Sequence, residues 1–274
     1  MIDPVDHAFL SSLCLARAGL RLDADKSYLI ESRLGPVARR EGYATPETFI
    51  EVLRQGGDER LSWAAVEAML LPETEFFRDR RVFRHLVDVI LPALAGGRGD
   101  QPVRVWNAAC GTGQEIYSLA MLLADAPALR GRVELYASDL SERSLEKAQA
   151  GIYSQFEVQR GLPARLLVRH FEKRGEAFQI SPRIRQMVRW RRVNLYDDIT
   201  RLGRFEMVLC RNLMTSLTDE AQPRVMRALA SAVRQGGALV LGPDEAVDGP
   251  VLGLKAVVGA PGLYNRIPDL RRAA

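Results

Sequence analysis

Apolar side chains recur at helical spacing in the first part of the chain, up to about residue 70. Positions such as Leu10, Leu13 and Val66 belong to runs of this kind, which predict an all-helical region. The predicted helices cover residues 8–18, 26–34 and 61–71, with another starting at Pro46. Pro36 is expected to kink or break the second helix, because proline donates no backbone hydrogen bond.

From residue 103 onward, strand-type runs alternate with helical runs, which predicts an α/β fold with a mostly parallel sheet. The first predicted strand starts at residue 103. The others cover residues 133–138, 205–210, 238–241, 254–258 and 263–267. Residues 178–181 and 187–193 are expected to pair as a small hairpin. The pattern therefore predicts two domains, residues 1–70 and residues 71–274.

The first predicted strand stops at Gly111-Thr112-Gly113, and a helical run follows. Strand, glycine turn and helix form the arrangement with which α/β sheets bind nucleotides. A dinucleotide site needs a third small residue where this chain has Ile116, so NAD is not expected. Asp139 closes the next strand and could accept hydrogen bonds from both hydroxyls of a ribose. These features suit S-adenosylmethionine; the alternative is a plain turn with Asp139 capping the helix near Ser141.

Composition and charge narrow the function only slightly. The chain has 274 residues, of which 47% are hydrophobic and 26% charged, as in ordinary globular proteins. No apolar run approaches the ~20 residues that span a bilayer, and the first residues lack a signal-peptide pattern, so a cytoplasmic protein is expected. The net charge of +4 fits an acidic partner but equally a solvated basic surface. No nucleic-acid motif, disulfide framework or metal cluster is apparent.

Four segments in a fixed order carry a family resemblance. They read TEFFR at 74–78, VRVWNAACGTGQEIYSLAM at 103–121, SDLSERSLEKAQAGIY at 138–153 and FEMVLCRN at 205–212. A K-x-x-L-x-x-x-R-L pattern at 26–34 precedes them. Together they resemble the CheR-type chemoreceptor glutamate O-methyltransferases over nearly the whole chain.

The resemblance implies an architecture, an activity and a partner. Residues 1–70 would be a receptor-contacting helical domain, and residues 71–274 a class I (Rossmann-like) methyltransferase domain with a small β-subdomain at roughly 172–193. The enzyme would transfer a methyl group from S-adenosylmethionine to glutamyl side chains of chemoreceptors and release S-adenosylhomocysteine. Its partners would be the cytoplasmic methylation helices, with no nucleic acid and no membrane insertion, and a monomer is expected. Basic N-terminal residues would meet these acidic helices: Arg33, Arg39, Arg40 and Arg54.

The resemblance also places the site residues. Arg78 is expected near the methionyl carboxylate and the acceptor, Glu115 near the cofactor's amino group, and Asp139 at the ribose. The expected cofactor contacts are Thr74, Arg78, Ala109, Gly111, Glu115, Asp139, Asn194, Leu195, Arg211 and Asn212. Arg78 and Arg211 are the expected catalytic residues, without a metal. No general base is needed, because a glutamate with an ordinary pKa of ~4.3 is already ionised at neutral pH.

Several positions depart from the family pattern. Gln114 replaces an acid, Pro72 an asparagine, and Ser216 a tyrosine, while the later G-x-S-E reads GPDE at 242–245. These changes concern the acceptor more than the cofactor. Two alternatives therefore stay open: a cofactor-binding signalling module with an altered acceptor or little turnover, and a methyltransferase for a small molecule or another protein.

Overall fold

A computed structural model of the chain describes residues 2–23, 27–70, 73–247 and 250–267. The chain forms two compact units. The first joins Met1–Leu71 to Met214–Val225, and the second joins Pro72–Leu213 to Met226–Ala274. The sequence assigned residues 214–225 to the methyltransferase domain, whereas their contacts place them with the N-terminal helices. Pro72, one of the departures from the family pattern, lies outside the described residues.

The described N-terminal part of the first unit contains α1 (Pro4–Ala18), α2 (Ser27–Arg40), α3 (Pro46–Arg54) and α4 (Glu59–Met69). Their starts follow from local chemistry, since Asp3 caps α1 by accepting the Asp6 N–H at 2.7 Å, and Thr45 caps α3. α2 continues through Pro36 to Arg40, so the break predicted there is not formed. Leu34 and Val37 on either side of the proline are buried, and this packing offsets the missing hydrogen bond.

Residues 214–225 enter the first unit through backbone hydrogen bonds to the end of α1. The Arg21 N–H donates to the Ser216 carbonyl at 2.9 Å, and the Thr218 N–H donates to the Gly19 carbonyl at 2.9 Å. Leu20 and Leu217 form an isolated antiparallel bridge between these hydrogen bonds. Both leucines are buried, which joins a segment distant in sequence to the helical unit.

The main sheet of the second unit has seven strands, numbered with all others in chain order: β1 (Val103–Ala108), β2 (Val133–Asp139), β6 (Val188–Arg192), β7 (Phe205–Leu209), β8 (Val233–Val240), β9 (Leu254–Ala256) and β10 (Leu263–Arg266). The strand order is β6-β2-β1-β7-β8-β10-β9. The pairs from β6 to β8 are parallel, and β10 is antiparallel to both of its neighbours. The predicted α/β class with its mostly parallel sheet is confirmed.

A second sheet of three strands contains β3 (Ile152–Ser154), β4 (Phe171–Arg174) and β5 (Ala177–Ile180), in the order β3-β5-β4. β4 and β5 form a hairpin around Gly175, whose φ of 60° suits a tight turn. The predicted pairing of 178–181 with 187–193 is therefore wrong. Val188–Arg192 instead extends the main sheet in parallel beside β2, where the Trp190 ring packs 5.5 Å from that of Tyr117.

Helices flank both sheets of the second unit. They are α5 (Arg80–His85), followed by a π-helical turn (Leu86–Ile90), α6 (Leu91–Gly96), α7 (Gln114–Ala124), α8 (Glu142–Ala150), α9 (Gln155–Gln159), α10 (Ala164–His170) and α11 (Pro182–Arg185). A last helix, α12 (Ala221–Ala232), leads into β8. Buried side chains of β1, such as Val105, join Ile116 and Leu119 of α7 in one apolar core that fixes the carboxyl ends of the strands. No helix in the described ranges is long and apolar enough to cross a membrane.

Candidate functional site

The glycine turn lies between the end of β1 and the start of α7. Ala109, Gly111 and Gly113 have left-handed φ values of 53°, 56° and 88°. A Cβ on Gly113 would lie 2.9 Å from the Cβ of Ala148 and 3.1 Å from the ring of Trp190. Only glycine fits at this point, because α7 starts in close contact with α8 and β6.

Asp139, at the end of β2, is hydrogen-bonded to the glycine turn. Its Oδ2 accepts the Gly111 N–H at 2.7 Å, and its Oδ1 accepts the Ser141 N–H at 2.9 Å. Burial raises the pKa of this carboxyl, and the backbone hydrogen bonds to it act in the opposite direction. Ser141 itself caps α8, so Asp139 is not the cap. A carboxylate has about four acceptor positions, so Asp139 retains capacity for a ribose diol.

Arg211 follows β7 and is enclosed by acceptors. Its Nη1 donates to Glu115 Oε1 at 2.8 Å and to the Arg78 carbonyl at 3.1 Å. Its Nη2 donates to the carboxylate of Asp79, and its Nε to the Leu241 carbonyl at 3.4 Å. The side chain is 1% exposed, so the protein itself already uses these donors. This geometry fixes the backbone around Arg78.

Glu115, in the first turn of α7, is buried beside Arg211. Burial raises the pKa of this carboxyl to about 7, although the positive charges of Arg211 and Arg78 oppose the shift. A carboxyl that titrates near neutrality can hold an ammonium group when it is ionised. Glu115 therefore has the chemistry that a contact to the cofactor's amino group requires, and that contact stays a prediction.

Arg78 lies between two residues with unusual backbone conformations, Phe77 with a φ of 52° and Asp79 with a φ of 57°. The Phe77 ring is buried, and the Phe77 N–H donates to Ser118 Oγ at 2.9 Å. The guanidinium of Arg78 donates to the Glu73 carbonyl at 3.4 Å. Within the described residues no carboxylate pairs with it. The fold thus constrains the backbone on both sides of Arg78 and leaves most donors of its guanidinium without a partner among the described residues.

Glu245, which sequence reasoning did not assign to the site, connects the ends of β7 and β8. Its Oε2 accepts the N–H groups of Asn212 at 2.8 Å and of Gly242 at 2.7 Å. The carboxyl is buried, and Asn212 is held with a φ of 61°. The GPDE stretch was the available signal, but a sequence motif does not show which backbone groups a carboxylate contacts. Asp79, the partner of Arg211, was missed for the same reason.

Backbone strain concentrates at these segments. In the described part of the chain, the non-glycine residues with left-handed φ are Phe77, Asp79, Ala109 and Asn212. Each of these four residues is itself a predicted site residue or is next to one in the sequence. Such conformations cost about 1–3 kcal/mol each and persist where the surrounding structure enforces them, typically at functional sites.

The remaining predicted residues are placed less directly. The Val193 N–H donates to the Asp139 carbonyl at 3.0 Å, which brings the next two residues, Asn194 and Leu195, to the edge beside Asp139. The Asn194 Oδ1 accepts the Tyr196 N–H at 3.1 Å, and Leu195 is buried. No hydrogen bond in the described ranges connects the hydroxyl of Thr74 to another predicted site residue. The roles of all these residues stay predictions.

The strand order, the antiparallel β10 and the glycine turn after β1 define a class I S-adenosylmethionine-dependent methyltransferase. Residues 72–258 match the family described as "CheR methyltransferase, SAM binding domain". The chain therefore belongs to the CheR methyltransferase family, its cofactor is S-adenosylmethionine, and the resemblance seen in the sequence is confirmed.

Similar proteins cover nearly the whole chain. The chemotaxis protein methyltransferase of Vibrio parahaemolyticus is 32% identical over 264 residues, which are 94% of each chain. Chemotaxis protein methyltransferase 1 of Pseudomonas aeruginosa is 33% identical over 268 residues, or 95% of each chain. Chemotaxis protein methyltransferase 1 of Vibrio cholerae is 32% identical over 265 residues, or 94% of each.

Unpaired polar atoms show that the residues present suit this cofactor. Thr74 Oγ1 and Asn212 Nδ2 are buried and have no hydrogen-bond partner among the described residues. Leaving such a group unpaired costs about 1–3 kcal/mol, so a polar ligand would be stabilised there. The carboxylates of Asp139 and Glu115 are of the kind that could accept hydrogen bonds from a ribose and an ammonium group. Across the described ranges, no group of three or more His, Cys, Asp or Glu could hold a metal ion.

Proposed function

We propose that this protein transfers methyl groups from S-adenosylmethionine to glutamyl side chains of chemoreceptors, forming glutamyl methyl esters. Family membership and the names of the similar chemotaxis methyltransferases support a role in chemotaxis. The observation that carries the choice of a carboxylate acceptor is Arg78. It is a cation held on constrained backbone, and among the described residues no carboxylate forms an ion pair with it, although its charge acts on Glu115.

Bound S-adenosylmethionine supplies a methyl group on a positively charged sulfonium, which an ionised carboxylate can attack without a general base. The task of the protein is therefore alignment and exclusion of water. In our proposal Asp139 holds the ribose and Glu115 the ammonium group. Thr74 Oγ1 and Asn212 Nδ2, which have no partner among the described residues, form hydrogen bonds with the cofactor. Arg78 donates to the acceptor carboxylate and aims one of its oxygens at the methyl carbon.

Arg211 acts on the site through its neighbours in this scheme. Its donors are taken up by Glu115, Asp79 and two backbone carbonyls, so it positions Glu115 and the Arg78 backbone. Two like-charged groups therefore have different tasks. Arg78 contacts the reacting groups, and Arg211 maintains the geometry.

The proposal predicts that purified protein labels the cytoplasmic fragment of a chemoreceptor with tritium from S-adenosyl-[methyl-³H]methionine, and that base releases the label. Arg78→Ala should lower kcat about 10²–10³-fold, as loss of a donor to the reacting group does in other enzymes. It should weaken binding of S-adenosylhomocysteine to a much smaller extent, through loss of the expected contact to the methionyl carboxylate. Arg130→Ala, an exposed arginine before β2, is the matched control and should retain full activity. Binding of cofactor without label on any receptor fragment would contradict the proposal and favour a signalling module.

A further inference from the structure

Three exposed arginines lie in α5, which begins two residues after Arg78. We call Arg80, Arg81 and Arg84 the α5 arginine surface; each side chain is exposed. Among the described residues none of them has a hydrogen-bond or ion-pair partner. Asp79, the nearest acid in the sequence, does not neutralise them, because its carboxylate is bound to Arg211.

The α5 arginine surface does not stabilise its own helix. Arg80 and Arg81 lie in the first turn of α5, where positive side chains oppose the helix dipole, whereas Arg84 lies in its last turn. Arg80 and Arg84 are also spaced i,i+4, which brings like charges together on one face. Asp79, at the N-cap position, makes no capping hydrogen bond. The charges of Arg80 and Arg81 and the spacing of Arg80 and Arg84 therefore lower the stability of this helix in the free protein, and an acidic partner would offset that loss.

The basic residues that the sequence suggested for this task are mostly engaged inside the first unit. Arg33 donates to the Met69 carbonyl at 3.5 Å. Arg40 pairs with Glu41 at 3.0 Å, and Arg54 with Asp6 at 3.5 Å. Their charges are partly balanced by the fold itself, in contrast to those of the α5 arginine surface.

We propose that the α5 arginine surface binds the acidic methylation helix of the receptor next to the glutamate that accepts the methyl group. This inference rests on the proposed function and extends it to a partner surface. Arg80 is two residues from Arg78, and Arg84 is one helical turn further on. A helix carrying several glutamates could therefore place one carboxylate at Arg78 while its neighbours pair with the surface. Complementary charge of this kind mainly sets orientation and association rate.

The test is a charge reversal with a matched control. The double variant Arg80→Glu/Arg84→Glu and the control Arg130→Glu/Arg204→Glu change the net charge equally. Arg130 and Arg204 are exposed and precede β2 and β7, so they lie at the amino ends of strands, away from the site. Binding of the receptor's cytoplasmic fragment would be measured by calorimetry at 0.1 M and at 1 M salt.

We expect the α5 variant to bind the fragment about tenfold more weakly at 0.1 M salt, since several weak exposed pairs become repulsive together. The difference should shrink at 1 M, where the Debye length falls from ~10 Å to ~3 Å. The control should stay within about twofold of the original protein. Affinity for S-adenosylhomocysteine should not change. The thermal midpoint of the α5 variant should change little, since Arg80→Glu suits the helix dipole in the first turn while the two glutamates keep like charges at the i,i+4 spacing.

The outcomes separate the surface from the activity. Equal binding of the fragment by the α5 variant and the control would overturn the proposal that this surface binds the receptor, even if base-labile methylation is observed. Charge-sensitive binding without methylation would support the surface and contradict the proposed acceptor. A parent protein that neither binds nor methylates the fragment would overturn both.

Discussion

At the residue scale, the ionisation of Glu115 is the property most open to measurement. Burial raises the pKa of this carboxyl in the fold to about 7, above its ordinary value near 4.5. Its contribution to folding is therefore present in full below the ordinary value and is lost as the pH rises to about 7. The cofactor's ammonium group requires the opposite state, the carboxylate. Stability and cofactor affinity should consequently respond to pH in opposite directions at this residue.

This gives a prediction for cofactor binding. Between pH 6 and pH 7 the ionised fraction of a group with a pKa of about 7 rises about fivefold, and affinity for S-adenosylhomocysteine should rise by a similar factor. Glu115→Gln should bind weakly at both values and show no such rise. Calorimetry at the two pH values measures this. If the affinity of the Glu115→Gln variant rose with pH as it does in the original protein, Glu115 would not be the residue that binds the cofactor's amino group.

At the element scale, two buried carboxylates connect β7 to β8, one at the carboxyl ends of these strands and the other near their amino ends. Glu245 accepts the backbone N–H groups of Asn212 and Gly242 at the carboxyl ends. Glu206, in β7, accepts the Arg104 N–H at 2.8 Å near the amino ends and pairs with Arg234 at 2.9 Å. The two residues are chemically alike, but only Glu245 holds a predicted cofactor contact.

Replacing each carboxylate should therefore separate stability from binding. Glu245→Ala leaves two N–H groups without their acceptor and should destabilise the protein by about 2–4 kcal/mol. It should also weaken S-adenosylhomocysteine binding about tenfold, because Asn212 loses the contact that holds its strained backbone. Glu206→Ala should destabilise comparably and leave the affinity unchanged. Thermal unfolding and calorimetry would check both, and equal losses of affinity would mean that Glu245 has only a structural role.

At the scale of the whole molecule, the chain passes through most of the second unit, returns to the first unit at residues 214–225, and then completes the second. Residues 214–225 carry buried apolar side chains, among them Leu217, Ala221 and Val225. Their backbone hydrogen bonds reach Gly19 and Arg21. The two units are therefore connected by more than one crossing of the chain, and removing residues 1–71 deprives residues 214–225 of their partners.

A fragment of residues 72–274 should accordingly be less stable than the complete chain. Exposing the large buried side chains of Leu217 and Val225 costs about 1.5–3 kcal/mol each, which corresponds to a thermal midpoint lower by roughly 10–20 °C for a fragment of this size. Replacing Leu217 by serine in the fragment should recover part of its solubility. A fragment with the midpoint of the complete protein would show that residues 214–225 contribute nothing to the stability of the second unit.

The sequence by itself determined the local features of this protein. The α/β class, the glycine turn, Asp139 at the end of a strand and the helix start at Pro46 all depend on neighbouring residues. Periodicity, capping and backbone conformation act over a few positions, so a single sequence contains them. The family resemblance added the cofactor, which the comparisons confirm.

Only the tertiary structure decided which distant groups meet. It paired Val188–Arg192 with β2 rather than with a hairpin partner, and it placed residues 214–225 with the N-terminal helices. It also assigned the partners of charged residues: Arg211 to Glu115 and Asp79, and none within the described chain to Arg80 or Arg84. Such choices depend on packing between segments far apart in sequence. The residues next to a strand or a charged side chain in the sequence do not indicate which distant strand or side chain it will contact.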